Sequence, residues 1–345
     1  AMEAIASGKV DFISLGKQSI ADPEWPNKVK AGKLSDIRAC IGCNDCLLGI
    51  LKGRLVQCAV NPTVGYENFT QLNPGEYNGQ KILIIGAGIG GMECAITAAE
   101  RGYSVTVWEK ETRMGGLGNA AAAPYMKISV KNYIEYLKAQ ILKHADRINI
   151  ILNKEATIDA IKRFNPDKVV IATGSIPVIP PIEGLKNNPR VGAATEYLTD
   201  KFHVEGNILV IGAGLVGCET ALDLAYKGNK VIVAEMLSKI VAKDEINANN
   251  EMKLSQLIKD AELDMRFNTL VKRVTDKTVV LETDGKESKV PYDYILVAAG
   301  TRSNDQLLDE LYDNFENVYV VGDANHPGRI MEAVHQGYSV ANNMF

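Results

Sequence analysis

Short apolar runs and helical periodicity alternate along most of this chain. KILIIGAGIGGMECAITAAERGYSVTVWEK (Lys81 to Lys110) opens on an apolar run of strand length, passes through a glycine-rich turn into a helical pattern, and closes on a second apolar run. The same order returns in NILVIGAGLVGCETALDLAYKGNKVIVAEM (Asn207 to Met236). Between them KVVIATG (Lys168 to Gly174) predicts a buried strand ending in a tight turn, followed by the proline-rich crossover IPVIPP (Ile176 to Pro181). YILVAAG (Tyr294 to Gly300) and VYVVGD (Val318 to Asp323) predict short strands after the second unit, and a last helix is expected from about Arg329 to Asn343. These returns suggest that the second unit is inserted into the first.

The first 80 residues follow another pattern. Ala1 to Ser7 is helical in period and stopped by Gly8, and VDFISL (Val10 to Leu15) predicts a short buried strand. A lone helix–strand pair has no core of its own, so this opening is expected to be the tail of a larger domain. Polar, proline-containing sequence over 18–39 leads into a cysteine cluster, and NPGEYNG (Asn73 to Gly79) predicts a linker, with a domain boundary near residue 78.

The two repeats carry G-x-G-x-x-G in the context that gives it meaning: after a strand, opening a helix, with an acid ending the next strand. The spacing is the same in both, Gly86 to Glu109 and Gly212 to Glu235, 23 positions each. Gly86 and Gly212 permit the tight turn, Gly88 and Gly214 let the backbone approach a pyrophosphate, and Gly91 and Gly217 allow close packing of helix on strand. The helix N-terminus then offers unpaired N–H groups to phosphate. An α/β fold with two Rossmann-like dinucleotide-binding domains follows. Glu109 and Glu235 are placed to accept hydrogen bonds from an adenosine ribose. A carboxylate at Glu235 favours NADH, since it would repel the 2′-phosphate of NADPH; Lys239 is the nearby cation that would favour the phosphate instead.

Composition narrows the partners. With 46% hydrophobic and 23% charged residues the chain is ordinary globular protein, and a net charge of −4 supplies no field for nucleic acid or an anionic membrane. No apolar run reaches the roughly 18–20 residues of a membrane span, and the opening lacks a signal-peptide pattern, so a cytoplasmic location is expected. Homo-oligomerisation is left open.

Four of the six cysteines, Cys40, Cys43, Cys46 and Cys58, fall within one short stretch, as metal ligands do and a dispersed disulfide framework does not. Three close thiolates and one distant one suit a [4Fe–4S] cluster. Structural zinc is the competing reading, although zinc ribbons usually show two separated Cys-x-x-Cys pairs. Cys94 and Cys218 sit in predicted helices as small buried hydrophobes. His144, His203, His326 and His335 match no metal or triad spacing and are expected to be structural.

Two glycine-motif units with an ATG-type turn and a late Gly-Asp resemble the flavin disulfide reductase superfold, in which the first unit holds FAD and the second NAD(P)H. By that resemblance Gly115 and Gly116 line the FAD pyrophosphate region, and Gly322 and Asp323 approach the ribityl and phosphate groups. The disulfide branch needs a cysteine pair near the flavin, and LGNAAAAPYMK (Leu117 to Lys127) contains none. DFISLGKQSIADPEWPNK, then CIGCNDC with Cys58 in QCAVNP, then the first glycine motif, resemble the C-terminal half of the 2-enoate reductase, 2,4-dienoyl-CoA reductase and trimethylamine dehydrogenase group over essentially the whole chain. That resemblance implies residues 1–38 as the end of an FMN-binding TIM barrel, 39–77 as the iron–sulfur segment and linker, 78–190 with 295–345 as the FAD domain, and 191–294 as the NAD(H) domain. Gly16 and Lys17 match the point where the last barrel strand contacts the FMN phosphate. Two features depart from the group: two residues rather than three separate Cys43 from Cys46, and Lys17 stands where arginine is usual, which keeps the charge but loses bidentate pairing.

The implied activity is oxidation of NADH by FAD, electrons passing through the cluster to FMN in the barrel, and reduction there of an enoate-type C=C bond. FMN and that substrate belong to the full-length enzyme, and no substrate acid or base can be nominated in this chain. Two other readings stand beside it: a structural ADP-binding domain, as in trimethylamine dehydrogenase, and a free-standing NADH dehydrogenase that donates to a carrier.

Overall fold

A computed structural model describes residues 2–68, 70, 72, 79–241 and 246–344. The linker expected over Asn73 to Gly79, and with it the boundary near residue 78, lies outside the described residues except for Gly79.

Two five-stranded sheets, parallel throughout, organise the molecule. The first runs Val318–Val320, Lys168–Ile171, Lys81–Ile85, Ser104–Trp108, Ile148–Ile151, with Ile82 opposite both Val105 and Lys168. Its middle strands are covered on both faces, which is why they are written as unbroken apolar runs. Helices Ile89–Glu100, Ile128–Lys143 and Ile330–Asn343 lie on one face and share a core with the sheet. The second sheet repeats the order as Val191–Ala193, Tyr294–Val297, Asn207–Ile211, Lys230–Ala234, Asp264–Arg266. An antiparallel meander, Thr269–Val274, Thr278–Thr283 and Lys286–Pro291, covers its other face through Val279, Leu281 and Val290.

Membership of the second sheet corrects the domain boundary expected at 294/295. Tyr294–Val297 pairs with Asn207–Ile211 and Val191–Ala193, so it belongs to the second unit. Only after it does the chain cross back, through Thr301–Ser303 paired antiparallel with Ser175–Pro177. Sequence alone could not assign this strand, because a short apolar run suits either sheet.

The strand expected at Val10 to Leu15 is also corrected. No regular structure forms over Val10 to Leu15, and Phe12 is 91% exposed. A strand needs a neighbour to take its N–H and C=O groups, and none pairs with it among the described residues. Helix Met2–Ala6 does form, and Gly8, with φ +66°, follows its end.

The cysteine segment is fastened to the first unit by a buried polar knot. Arg38 donates to the Tyr136 hydroxyl at 3.3 Å and to Asn61 Oδ1 at 3.1 Å, and its guanidinium lies 5.6 Å over the Tyr136 ring. Glu93, buried in helix Ile89–Glu100, is pushed up to about 7 by burial, against the pull of Arg38. The two units meet through Lys127–Glu219 at 2.5 Å, Lys201–Glu111 at 2.7 Å and the stacked rings of Tyr125 and Tyr226, centroids 4.3 Å apart.

Candidate functional site

Both glycine turns lie at the carboxyl ends of their sheets, where open α/β folds bind ligands. Gly86 and Gly212 have φ of +109° and +104°, which only glycine adopts freely. A Cβ on Gly91 would fall on Gly86 O, and one on Gly217 on Gly212 O, so each helix seats directly on its turn. Gly88 differs: a Cβ there meets no protein atom within 4 Å. That space is open for a phosphate, and the N-terminus of helix Ile89–Glu100 points its first N–H groups there. Gly214 is likewise the extended residue before helix Leu215–Tyr226.

The two acids, expected to face a ribose, also hold the glycine turns. Glu109, 6% exposed, accepts the Ala87 N–H at 2.8 Å on one oxygen and the Glu111 N–H at 2.8 Å on the other. Glu235 does the same with Ala213 at 2.6 Å and Leu237 at 2.8 Å. Each acid therefore ties the middle of its glycine turn to the next strand's end, while remaining lone pairs stay open to a hydroxyl. Glu235→Ala is accordingly expected to do two things: raise the kcat/KM ratio of NADPH over NADH, and lower the NADH value itself by about tenfold or more, since hydrogen bonds to a charged group contribute about 1.5–3 kcal/mol. An unchanged ratio in steady-state kinetics would mean that the acid does not face the ribose. Glu109→Ala should weaken FAD retention instead.

Gly115 bridges to Gly88, which sets the double glycine Gly115-Gly116 against the first turn. Gly322, with φ +65°, donates its N–H to Gln336 Oε1 at 2.9 Å. Asp323 accepts from the Ser175 hydroxyl at 2.8 Å and the Gly328 N–H at 3.1 Å, which fixes its carboxylate at the edge of the same sheet. Gly16 and Lys17 begin helix Gly16–Ala21, both exposed, and Lys17 Nζ donates to Asn44 Oδ1 at 2.9 Å.

Cys58 is the common neighbour of the other three clustered cysteines. Cys58 feels Cys40 and Cys46, and Cys43 feels Cys58. Their sulfurs already receive backbone N–H groups, from Asp45 at Cys43 and from Val60 and Asn61 at Cys58. Burial pushes the Cys43 thiol up to about 12, with the Asp45 charge adding to the shift, so a cation is needed to hold it as thiolate at neutral pH. Among the described residues no three Cys, His, Asp or Glu side chains converge closely enough to hold a single metal ion. A zinc ion, with sulfurs at about 2.3 Å, would demand that convergence. A four-iron cube takes one thiolate at each corner, and four thiols within one short stretch are a donor set that fits it.

Against this geometry, comparison with known proteins is direct. The family model described as pyridine nucleotide-disulphide oxidoreductase matches residues 80–337. The chain belongs to that family. FAD and NAD(H) binding follow from that membership. Cinnamate reductase of Clostridium sporogenes is 37% identical over 345 residues, covering 99% of this chain and 51% of that protein. NADH oxidase of Thermoanaerobacter brockii is 35% identical, covering 99% and 53%. A solved structure of 2-naphthoyl-CoA reductase with 2-naphthoyl-CoA superposes with a TM-score of 0.94 at 32% identity, covering 99% of this chain and 52% of that one. The chain thus spans about half the length of these relatives, and it matches the C-terminal FAD/NAD part of enoate reductase and trimethylamine dehydrogenase-type flavoenzymes.

Several residues that join the parts carry no sequence signal. Arg329, next to the family's Gly-Asp turn, pairs with buried Asp45 beside Cys46 at 3.1 Å. His335 Nε2 lies 2.8 Å from the Cys58 carbonyl oxygen. Ser175, Ser303 and Gln336 orient the Gly322-Asp323 turn. Each pair is far apart in the chain, so no local pattern announces it. Among the described residues no helix is long and apolar enough to cross a membrane.

Proposed function

We propose that this chain is the NADH-oxidising, electron-input part of an enoate-reductase-like flavoenzyme. The observation that carries the reading is that one element serves two sites: helix Ile330–Asn343, which leaves the Gly322-Asp323 turn, meets the cysteine segment at Arg329–Asp45 and His335–Cys58. Bound to these sites, FAD would accept hydride from NADH and a [4Fe–4S] cluster would carry electrons singly toward FMN, whose enzyme reduces an activated C=C bond.

The chain's own residues bind and orient. The turn Gly86 to Gly91 and the double glycine Gly115-Gly116 cradle the flavin nucleotide's phosphates, and Glu109 takes its ribose. Gly212 to Gly217 and Glu235 do the same for NADH. Cys40, Cys43, Cys46 and Cys58 supply the four thiolates. Lys17 leaves its helix beside Asn44, next to Cys43, so a phosphate of FMN approaching Gly16-Lys17 would come in over the cysteine loop.

Anaerobic titration of the FAD-loaded, iron-reconstituted chain with NADH tests this. Flavin absorbance should bleach, and ferricyanide should be reduced at the expense of NADH. A bound flavin that NADH leaves oxidised would defeat the reading and favour a structural nucleotide domain.

A further inference from the structure

We propose that Asn250 is a positioning residue through which the dinucleotide-binding second unit governs the cysteine loop; the inference rests on the functional reading above. Asn250 lies two residues into helix Ala248–Asp260 of that unit. Its amide nitrogen donates to the carbonyl oxygens of Gly42 at 3.3 Å and Cys43 at 3.2 Å, and its own oxygen accepts from the Asn44 side chain. Asn44, left-handed at φ +62°, caps helix Asp45–Leu51 and also receives Lys17. One side chain of the second unit thus closes the loop that carries Cys40, Cys43 and Cys46, although 206 positions separate Asn44 from Asn250.

The other end of the connection is the glycine turn. Val241 donates its N–H to Ala213 O at 2.8 Å, inside the turn whose N–H is held by Glu235. Glu251, the residue after Asn250, takes Lys239 Nζ at 3.5 Å. The stretch that leaves the nucleotide acid therefore touches the turn at Val241 and the helix of Asn250 through Lys239. At the start of that helix Asn247 is 1% exposed, and its amide nitrogen has no partner among the described residues. Its side-chain oxygen caps the helix by accepting the Asn249 N–H at 3.0 Å.

Interfaces between domains of one chain are polar and allow relative motion unless something holds them. A dinucleotide that fixes the turn Gly212 to Gly217 also fixes Val241 and, through Lys239–Glu251, the position of Asn250. The cysteine loop is then held shut with nucleotide present and released more often without it. By linkage, closing the loop must strengthen nucleotide binding by the same factor.

Hydrogen exchange of the amides of residues 40–51, measured on the full FAD-loaded chain with and without NAD+, tests the proposal without changing the redox state. NAD+ should slow exchange there several-fold in the unaltered protein. In Asn250→Ala, which loses three neutral hydrogen bonds, exchange should be roughly tenfold faster or more and should no longer respond to NAD+. NAD+ affinity, followed by calorimetry, should change by no more than the reciprocal of that coupling. NAD+ that binds but leaves these amides unmoved, or slows them equally in Asn250→Ala, overturns the role of Asn250 and leaves the functional reading intact. Failure of NAD+ to bind at all overturns both.

Discussion

Replacing Cys43 by alanine is expected to take the iron content of the reconstituted chain from about four atoms to none, with FAD still bound. The thiol is coupled to Cys58, already takes the Asp45 N–H, and is buried enough that a bound cation would be needed to keep it ionised. Losing one corner ligand from a set of four leaves an iron open to solvent. The flavin turn is on the first unit, held by Glu109 and the helix seat at Gly91, and does not depend on the loop. Cys94→Ala and Cys218→Ala are the controls: both thiols are fully buried inside the helices that follow the glycine turns, so iron should be unchanged. Stoichiometric zinc in place of iron in the unaltered protein would refute the cluster assignment.

How much of this was readable beforehand depends on the range of the interaction. The two glycine turns, their acids and the strands beside them are legible because everything that defines them lies within 30 consecutive residues. The cysteine cluster is legible for the same reason. What joins the parts is not. Arg329 with Asp45, Asn250 with Cys43, and Arg38 with Asn61 and Tyr136 are met only once the chain has folded, and the residue types involved are common on any surface. The antiparallel meander Thr269–Val274 to Lys286–Pro291 escaped because its outer strand, Lys286–Pro291, is polar and exposed except at Val290. The strand expected at Val10 to Leu15 failed for the opposite reason: its apolar pattern is real, but pattern alone forms no strand without a neighbour to complete its hydrogen bonds. Glu109 and Glu235 stand out at the ends of their strands, yet their bonds to the turn N–H groups are invisible in the sequence, because a backbone donor has no letter there.

Alanine at Gly91 and at Gly217 should produce separate losses. Gly91→Ala drives a Cβ into Gly86 O with Ala172 Cβ at 3.1 Å behind it; Gly217→Ala does the same to Gly212 O with Ala298 Cβ at 3.3 Å. Neither obstacle is the end of a flexible side chain. The helix must lift off the sheet, which carries its N–H groups away from the phosphates by more than a hydrogen bond tolerates. Gly91→Ala should therefore purify without flavin. Gly217→Ala should stay yellow but bleach with NADH at least about a hundredfold less efficiently, a loss of roughly 3 kcal/mol or more in kcat/KM. Gly88→Ala separates sterics within the protein from sterics against the ligand. Its Cβ meets nothing in the chain, and its backbone is extended at φ −71°, so the fold should melt as the unaltered protein does. The same methyl group would stand where the pyrophosphate must come, and flavin should be lost all the same. Normal flavin content in Gly88→Ala would mean that the phosphates do not approach this turn.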